Sequence, residues 1–258
     1  MAYQSYGPRS PEAPVVERSP VESRTFGIDV GRLDYGLGAD PVRIDLAAAL
    51  DAADCDLVLL RYPLQRLDIT EQLRTCGRPT IHADPLLYYT RVPASQEHAP
   101  VRIRRLAEAD LPELDEVIAA VFPGHPNHYQ VNPLTRTVDI VAAYQEWARA
   151  TMSHPQRRVY LADVAGVGVA GMFMVQQWGP DAGDFEVLLG GMMPAARGRG
   201  WYRAMFRAIT DLAHRDGARL AFTAAQASNI ASIRGFTATG YHPHLALATV
   251  HVLRAGIG

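Results

Sequence analysis

The chain has 258 residues, enough for one large domain or two small ones, and 48% of them are hydrophobic, ample for a core. Its formal charge of −2 argues against a general nucleic-acid surface. No apolar run approaches the ~18–20 residues of a membrane span, and Cys55 and Cys76 are too few for a disulfide framework and too far apart for a metal knuckle, so they read as buried thiols.

Residues 1–24 are polar and Pro-rich and carry no signal-peptide pattern, which predicts a mobile tail and a cytoplasmic protein. All 25 basic residues are Arg, which we read as the codon bias of a GC-rich bacterial genome. Residues 25–92 form a first segment. Residues 26–33 predict a strand, 44–53 a helix, 56–61 a short buried strand, and 69–76 a second helix stopped by Gly77 and Pro79. Residues 80–91 predict a third strand, interrupted by Pro85. Alternating strands and helices imply an α/β layer. No Gly/Arg loop follows its strands, so it has no evident cofactor site.

Residues 93–100 are the expected linker and 101–258 the second domain. It opens with a strand at Val101–Arg105, then a helix with the acidic start Glu108-Ala109-Asp110 running to Val121. Two prolines and a glycine between Phe122 and Asn127 forbid further helix. Residues 134–152 predict another amphipathic helix, and 158–163 with 167–178 a hairpin. Gly166-Val167-Gly168-Val169-Ala170-Gly171 spells the dinucleotide fingerprint, but Met172-Phe173-Met174-Val175 continues as strand where that motif needs a helix. The pairs His125/His128 and His242/His244 lack the further ligands of a zinc site, so no metal is expected.

The most informative stretch is Pro194-Ala195-Ala196-Arg197-Gly198-Arg199-Gly200-Trp201-Tyr202. It follows a strand-like run at 185–193. It precedes a helix-like run at 201–215, with Met205, Phe206, Ile209, Leu212 and Ala213 at helical spacing. A strand, an Arg/Gly turn and a helix start make a phosphate cradle: the unpaired N–H groups of the first turn point at the anion, and glycines let the backbone approach closely. The helix dipole adds about 0.3–1 kcal/mol, and Arg197 and Arg199 can add charge-assisted hydrogen bonds. The alternative is an ordinary turn with two solvated arginines. Beyond it come a strand at 219–224, a helix opening at Asn229, the pair Gly240-Tyr241, and a last strand at 245–253.

Arg197-Gly198-Arg199-Gly200 resembles the coenzyme A pyrophosphate loop of the GNAT superfamily of N-acetyltransferases, whose pattern is Gln/Arg-x-x-Gly-x-Gly/Ala. Arg197 and Gly200 fit the first and fourth positions, and Tyr202 departs from the sixth. Asn229-Ile230-Ala231-Ser232 is similar to the family's Asn-x-x-Ala helix start, and Gly240-Tyr241 to the Gly-Phe pair that follows it. The resemblance spans residues 101–254. Residues 25–92 resemble more loosely the N-terminal part of two-domain sugar-nucleotide acetyltransferases of the TDP-fucosamine type, where a reduced copy of the fold packs beside the catalytic one. The implied fold is a mixed α/β sheet that splays in the middle and admits the pantetheine arm.

The resemblance implies an acyltransferase that uses acetyl-CoA and no metal. It would carry the acetyl group to a primary amine of a small molecule, an amino sugar or a natural-product intermediate, by direct attack in a ternary complex. A non-catalytic acyl-CoA-binding module and a protein acetyltransferase are the alternatives, and a homodimer stays open as its assembly. Met192, Met193, Arg197, Gly198, Arg199, Gly200, Trp201, Tyr202, Asn229 and Phe236 are the expected cofactor contacts. Backbone N–H groups around Met192 would meet the oxyanion. Glu186, eleven residues before Arg197, has the spacing of the family's glutamate base. Phe236 stands where many members carry a tyrosine acid; either the thiolate leaves unassisted or Tyr202 or Tyr241 serves. His125, His128 and Tyr129 lie where the family's loop covers the acceptor; capping histidines on a solvated loop are the other reading.

Overall fold

The computed structural model describes residues 15–35, 45–95, 101–178 and 183–256. The N-terminal segment runs β1 (Glu17–Arg18), α1 (Pro20–Phe26), β2 (Val30–Asp34), α2 (Leu46–Ala53), β3 (Leu57–Pro63), α3 (Leu67–Thr75), β4 (Thr80–His82) and β5 (Leu86–Arg91). The expected tail therefore does not reach Arg24. Pro20 opens a helix, Gly27 closes it at φ 68°, and Glu22 is fully buried. The predicted strand at 26–33 starts only at Val30, because Phe26 ends that helix. Residues 1–14 and 96–100, expected as tail and linker, lie outside the described residues.

The second segment runs β6 (Val101–Arg105), α4 (Leu111–Val121), α5 (Ile140–Met152), β7 (Arg157–Val164), β8 (Gly168–Gln177), β9 (Phe185–Met192), α6 (Trp201–Arg215), β10 (Ala221–Gln226), α7 (Ile230–Ala238) and β11 (His242–Leu253). The helix predicted over 134–152 begins at Ile140, where the Asp139 carboxylate accepts from the Val141 and Ala142 N–H groups. Gly166 and Gly168, at φ 74° and 81°, turn the β7–β8 hairpin, so the fingerprint-like glycines serve a turn. No helix among the described residues is long and apolar enough to cross a membrane.

All the strands join one mixed sheet in the order β1-β2-β3-β11-β5-β10-β9-β8-β7-β6, with β4 also on β11. β5, from the N-terminal segment, lies between β10 and β11 of the C-terminal segment. The boundary near residue 92 thus divides the chain but not the sheet.

Side-chain alternation along the strands sorts the helices into two layers. Val159, Leu161, Met172 and Met174 pack with α4 and α5. Their neighbours Tyr160, Ala162 and Phe173 pack with α6 and α7. On β3, Leu57 and Leu59 join the α4/α5 core, while Val58 and Leu60 face α2 and α3. The sheet is therefore covered by α1, α4 and α5 on one face and by α2, α3, α6 and α7 on the other.

Candidate active site

β9 and β10 run parallel and pair at three positions, Phe185–Ala221, Glu186–Phe222 and Val187–Thr223. Past Val187 they separate. β10 stays on β5 through Gln226, and β9 stays on β8 through Met192. Met174 pairs with Leu189 but Val175 with Val187, so Leu188 is the extra residue of a bulge and has no partner on either flanking strand. A cavity of about 440 Å³ fills the gap. Its walls include Val121, Phe122, His125 and Tyr144 from the α4/α5 layer and Tyr202, Phe206, Ser232 and Phe236 from the α6/α7 layer. The cavity therefore passes through the sheet from one helical layer to the other.

The Arg/Gly loop stands at the α6/α7 end. One 3-10 turn, Pro194–Ala196, precedes it. Gly198 and Gly200 adopt φ 75° and 79°, and a Cβ on Gly198 would meet nothing within 4 Å. The peptide N–H groups from Gly198 to Tyr202 make no backbone hydrogen bond among the described residues. They form a cradle of free donors at the start of a 15-residue helix, the arrangement that suits a phosphate anion.

Arg197 plays a different part from the one its position suggests. Its guanidinium donates to the carbonyls of Val121 (3.1 Å) and Met192 (3.3 Å), tying the end of α4 to the end of β9. Arg197 and Met192 both line the cavity, whereas Met193, Arg199 and Trp201 do not. The Met193 N–H is engaged by the Ala170 carbonyl. The register break thus falls at Leu188, four residues before the expected Met192.

Tyr202 is explained by a glycine elsewhere. A Cβ on Gly235 would stand 2.3 Å from the Tyr202 ring, so α7 leaves room for that side chain by carrying glycine there. Tyr202 packs on Phe206 (5.0 Å between centroids) and its hydroxyl donates to Ser232 Oγ at 3.3 Å. Burial holds its phenol protonated far above neutral pH. Phe236 lines the cavity and stacks among Tyr89, Phe206 and Tyr202. Asn229 also lines it, and its side chain caps α7 through the Ser232 N–H at 3.1 Å.

The expected catalytic residues, Glu186 and Tyr241, do not line the cavity, whereas His125, expected at the acceptor, does. Tyr241 is buried against Phe206 and Phe236, its hydroxyl hydrogen-bonded to Thr210 (3.0 Å) and its pKa pushed up to about 12 by burial; it does not line the cavity. Glu186 is buried one residue short of the first lining position, Val187, and accepts from the Trp178 indole at 3.2 Å. Alternation places it on the α4/α5 face. His125 does line the cavity, edge-on to Phe122 (5.7 Å) and Tyr144 (6.4 Å). Burial and then the Arg197 charge push its pKa below the ordinary 6.5, so it is a neutral imidazole at pH 7.

His128 and Tyr129, expected beside His125, point elsewhere. The 3-10 turn His128–Val131, capped by Asn127, turns both inward to the α1–β2–β11 side. Tyr129 donates to Glu22, which also binds Arg32 through two contacts, one of 2.7 Å. His128 Nδ1 meets His251 Nε2 at 2.9 Å, and the Asn132 amide donates to His251 Nδ1 at 3.0 Å. The Leu134 N–H holds the Asn132 carbonyl oxygen, so the amide nitrogen is the group facing His251 Nδ1, while the Arg61 guanidinium approaches His128 Nε2 at 3.4 Å. This cluster braces the N-terminal helix against β11 and does not line the cavity.

Sequence reasoning missed Val121, Phe122, Tyr144 and Leu86 as cavity walls, because each is also an ordinary core residue by periodicity. One signal was present. Gly190 and Gly191 sit adjacent inside a strand, where glycine marks a close approach. A Cβ on Gly191 would stand 2.2 Å from Val121 and 2.8 Å from Phe122.

No protein-family model matches this chain, and no curated protein matches it. Solved structures do. A functionally unknown conserved protein of Staphylococcus epidermidis superposes with TM-score 0.59 at 10% identity, over 96% of this chain and 94% of that one. A tandem GNAT protein of the clavulanic acid biosynthesis pathway superposes with TM-score 0.56 at 14% identity, over 89% and 76%. A GCN5-related N-acetyltransferase of Kribbella flavida gives 0.55 at 17%, over 89% and 82%. At such identities the likeness is one of fold: the chain has the mixed α/β fold of the GNAT acetyltransferases.

Proposed function

We propose that the protein is an acetyl-CoA-dependent N-acetyltransferase acting on a primary amine of a small molecule. The observation that carries this reading is the continuity of two features: a cradle of unpaired N–H groups at Gly198–Tyr202, and a cavity that starts beside it and crosses the sheet between β9 and β10. The cradle suits the pyrophosphate. The gap suits the narrow pantetheine arm, whose amides can bond to strand edges left unpaired by the splay. Its thioester would then reach the level of the Leu188 bulge, where the break in register could turn a peptide N–H toward a developing oxyanion. A module that only held acyl-CoA would need no extra space reaching the α4/α5 layer, which is why we favour transfer.

In the ternary complex the amine nitrogen attacks the thioester carbon, the C–N bond forms, the C–S bond breaks, and coenzyme A departs as thiolate. The ammonium proton needs an acceptor. His125 is the neutral base that the cavity itself presents. Glu186, one residue short of the cavity wall and engaged by Trp178, is the weaker candidate. Departure of the thiolate without a donor fits Phe236, because a thiol pKa of about 8–9 makes it a good leaving group near neutral pH.

Calorimetry with acetyl-CoA tests the reading. Gly200→Val and Gly77→Val introduce the same left-handed strain, at φ 79° and 72°, and neither Cβ meets an atom closer than 4.0 Å. Gly200→Val should lose acetyl-CoA affinity at least tenfold, and Gly77→Val, between α3 and β4, should keep it. Equal affinity in both variants would remove the cradle from the argument.

A further inference from the structure

We infer that the acceptor of this site is a monoamine on a compact apolar ring, of the arylalkylamine class, rather than an amino sugar or a polyamine. The inference rests on the acetyl-transfer reading above and concerns the end of the same cavity that reaches the α4/α5 layer.

The walls of that end are Leu86, Val121, Phe122, His125, Tyr144 and Leu188. Four of them belong to hydrophobic cores that continue into the cavity. Phe122 and Tyr144 lie 4.7 Å apart at an interplanar angle of 32°, and His125 meets Phe122 edge-on at 77°. Such rings favour an aromatic guest through offset or edge-to-face contact, and they can hold an ammonium over a ring face before it loses its proton.

The charges at that end work against the other classes. Among the described residues no carboxylate lines the cavity, and the charged side chain that does is Arg197. A second or third ammonium would enter with no carboxylate on the cavity wall and beside a guanidinium, which is costly in a desolvated site. A sugar brings several hydroxyls, and each one buried without a partner costs about 1–3 kcal/mol. The guanidinium of Arg197 already donates from Nε and Nη2 to the Val121 and Met192 carbonyls, which limits what it can offer them. The cavity of about 440 Å³ must also admit the thioester arm, which favours one small ring over a sugar carried on a nucleotide.

The test measures coenzyme A release by the full chain at pH 8 with saturating acetyl-CoA and three acceptors: 2-phenylethylamine, glucosamine and spermidine. The expected kcat/KM for 2-phenylethylamine exceeds each of the others at least a hundredfold. Phe122→Leu should lower that value about tenfold or more, chiefly through KM, with acetyl-CoA affinity unchanged by calorimetry. Glucosamine or spermidine used within tenfold of 2-phenylethylamine overturns the inference, as does acetyl-CoA binding with no transfer to 2-phenylethylamine; in both cases coenzyme A binding still stands. Failure to bind acetyl-CoA at all overturns the functional reading and the inference with it.

Discussion

Gly235→Ala is the most informative single substitution, because local and tertiary effects oppose each other there. Alanine is the better helix former by about 0.8–1.0 kcal/mol, so on propensity alone the change should stabilise α7. The packing says otherwise. The new methyl would stand 2.3 and 2.4 Å from Cε1 and Cδ1 of Tyr202, well inside contact distance. The ring has little room to retreat, since Phe206 lies behind it at 5.0 Å and its hydroxyl is tied to Ser232. Overpacking of this kind costs about 1–3 kcal/mol. The net expectation is a loss of about 0–2 kcal/mol in urea unfolding. Asn229, Ser232 and Phe236 of α7 line the cavity together with Tyr202, so acetyl-CoA should also bind about tenfold more weakly. The double variant Tyr202→Ala/Gly235→Ala should be more stable than the two single changes predict, with a coupling of about 1–3 kcal/mol, because the methyl then enters vacated space. A Gly235→Ala protein stabilised by about 1 kcal/mol and additive with Tyr202→Ala would refute the steric argument.

Other expectations follow from the same geometry. His125→Phe should lower kcat/KM about 10²–10⁴-fold at neutral pH with acetyl-CoA affinity intact, and Glu186→Gln should lower it less; the reverse order would return the base role to Glu186. The acidic limb of the wild-type pH–rate profile should fall below pH 6.5, since burial and Arg197 lower the His125 pKa, and His125→Phe should abolish that limb. Glu22→Gln should cost about 3–5 kcal/mol in denaturant unfolding, because it strands the buried Arg32 guanidinium. Stability should fall in two acid steps. Burial, followed by the charge of Arg61, lowers His251 to about 4 from 6.5, so the unfolded chain takes up its proton first and roughly 3 kcal/mol is lost from pH 6.5 to 4. Burial alone would raise Glu22, but the charge and hydrogen bonds of Arg32 outweigh it and hold it at about 2, so its contribution is present above 4.5 and lost toward pH 2. A stability flat from pH 7 to 4 would contradict the buried neutral histidine.

Periodicity and turn chemistry were enough for the strand–loop–helix unit at 185–215, and for α7 with its Asn229 cap, because those signals are local. The acidic start at Glu108–Asp110 and the hairpin at Gly166 were legible for the same reason. What the sequence hid depends on contacts distant along the chain. Nothing near Glu22 announces a partner ten residues away in Arg32 and another in Tyr129, 107 residues away, so a helix whose one buried residue is a carboxylate reads as a polar tail. His128 and His125 are three residues apart and indistinguishable by type, yet the 3-10 turn sends one to His251 and leaves the other at the cavity. Arg197 fits a phosphate-loop pattern at its backbone, and only the fold brings the Val121 carbonyl, 76 residues away, within reach of its side chain.

The interleaved sheet connects the N-terminal segment to the site in physical terms. A parallel strand that leaves its neighbour after three pairs would expose a row of unpaired peptide groups and tend to close the gap again. β10 avoids this because all six of its residues, Ala221 to Gln226, pair with Arg91 to Leu86 of β5 on the other side. β5 is in turn held by β11, and β11 by β3 along seven positions from Leu247–Pro63 to Leu253–Leu57. β10 can therefore diverge from β9 without becoming a free edge, and the opening between them is kept by strands that have nothing to do with the Arg/Gly loop. Leu86, at the end of β5, also forms part of the cavity wall. The N-terminal segment thus acts on the site through backbone pairing: it holds β10 away from β9, and so helps to set the width of the cavity between them.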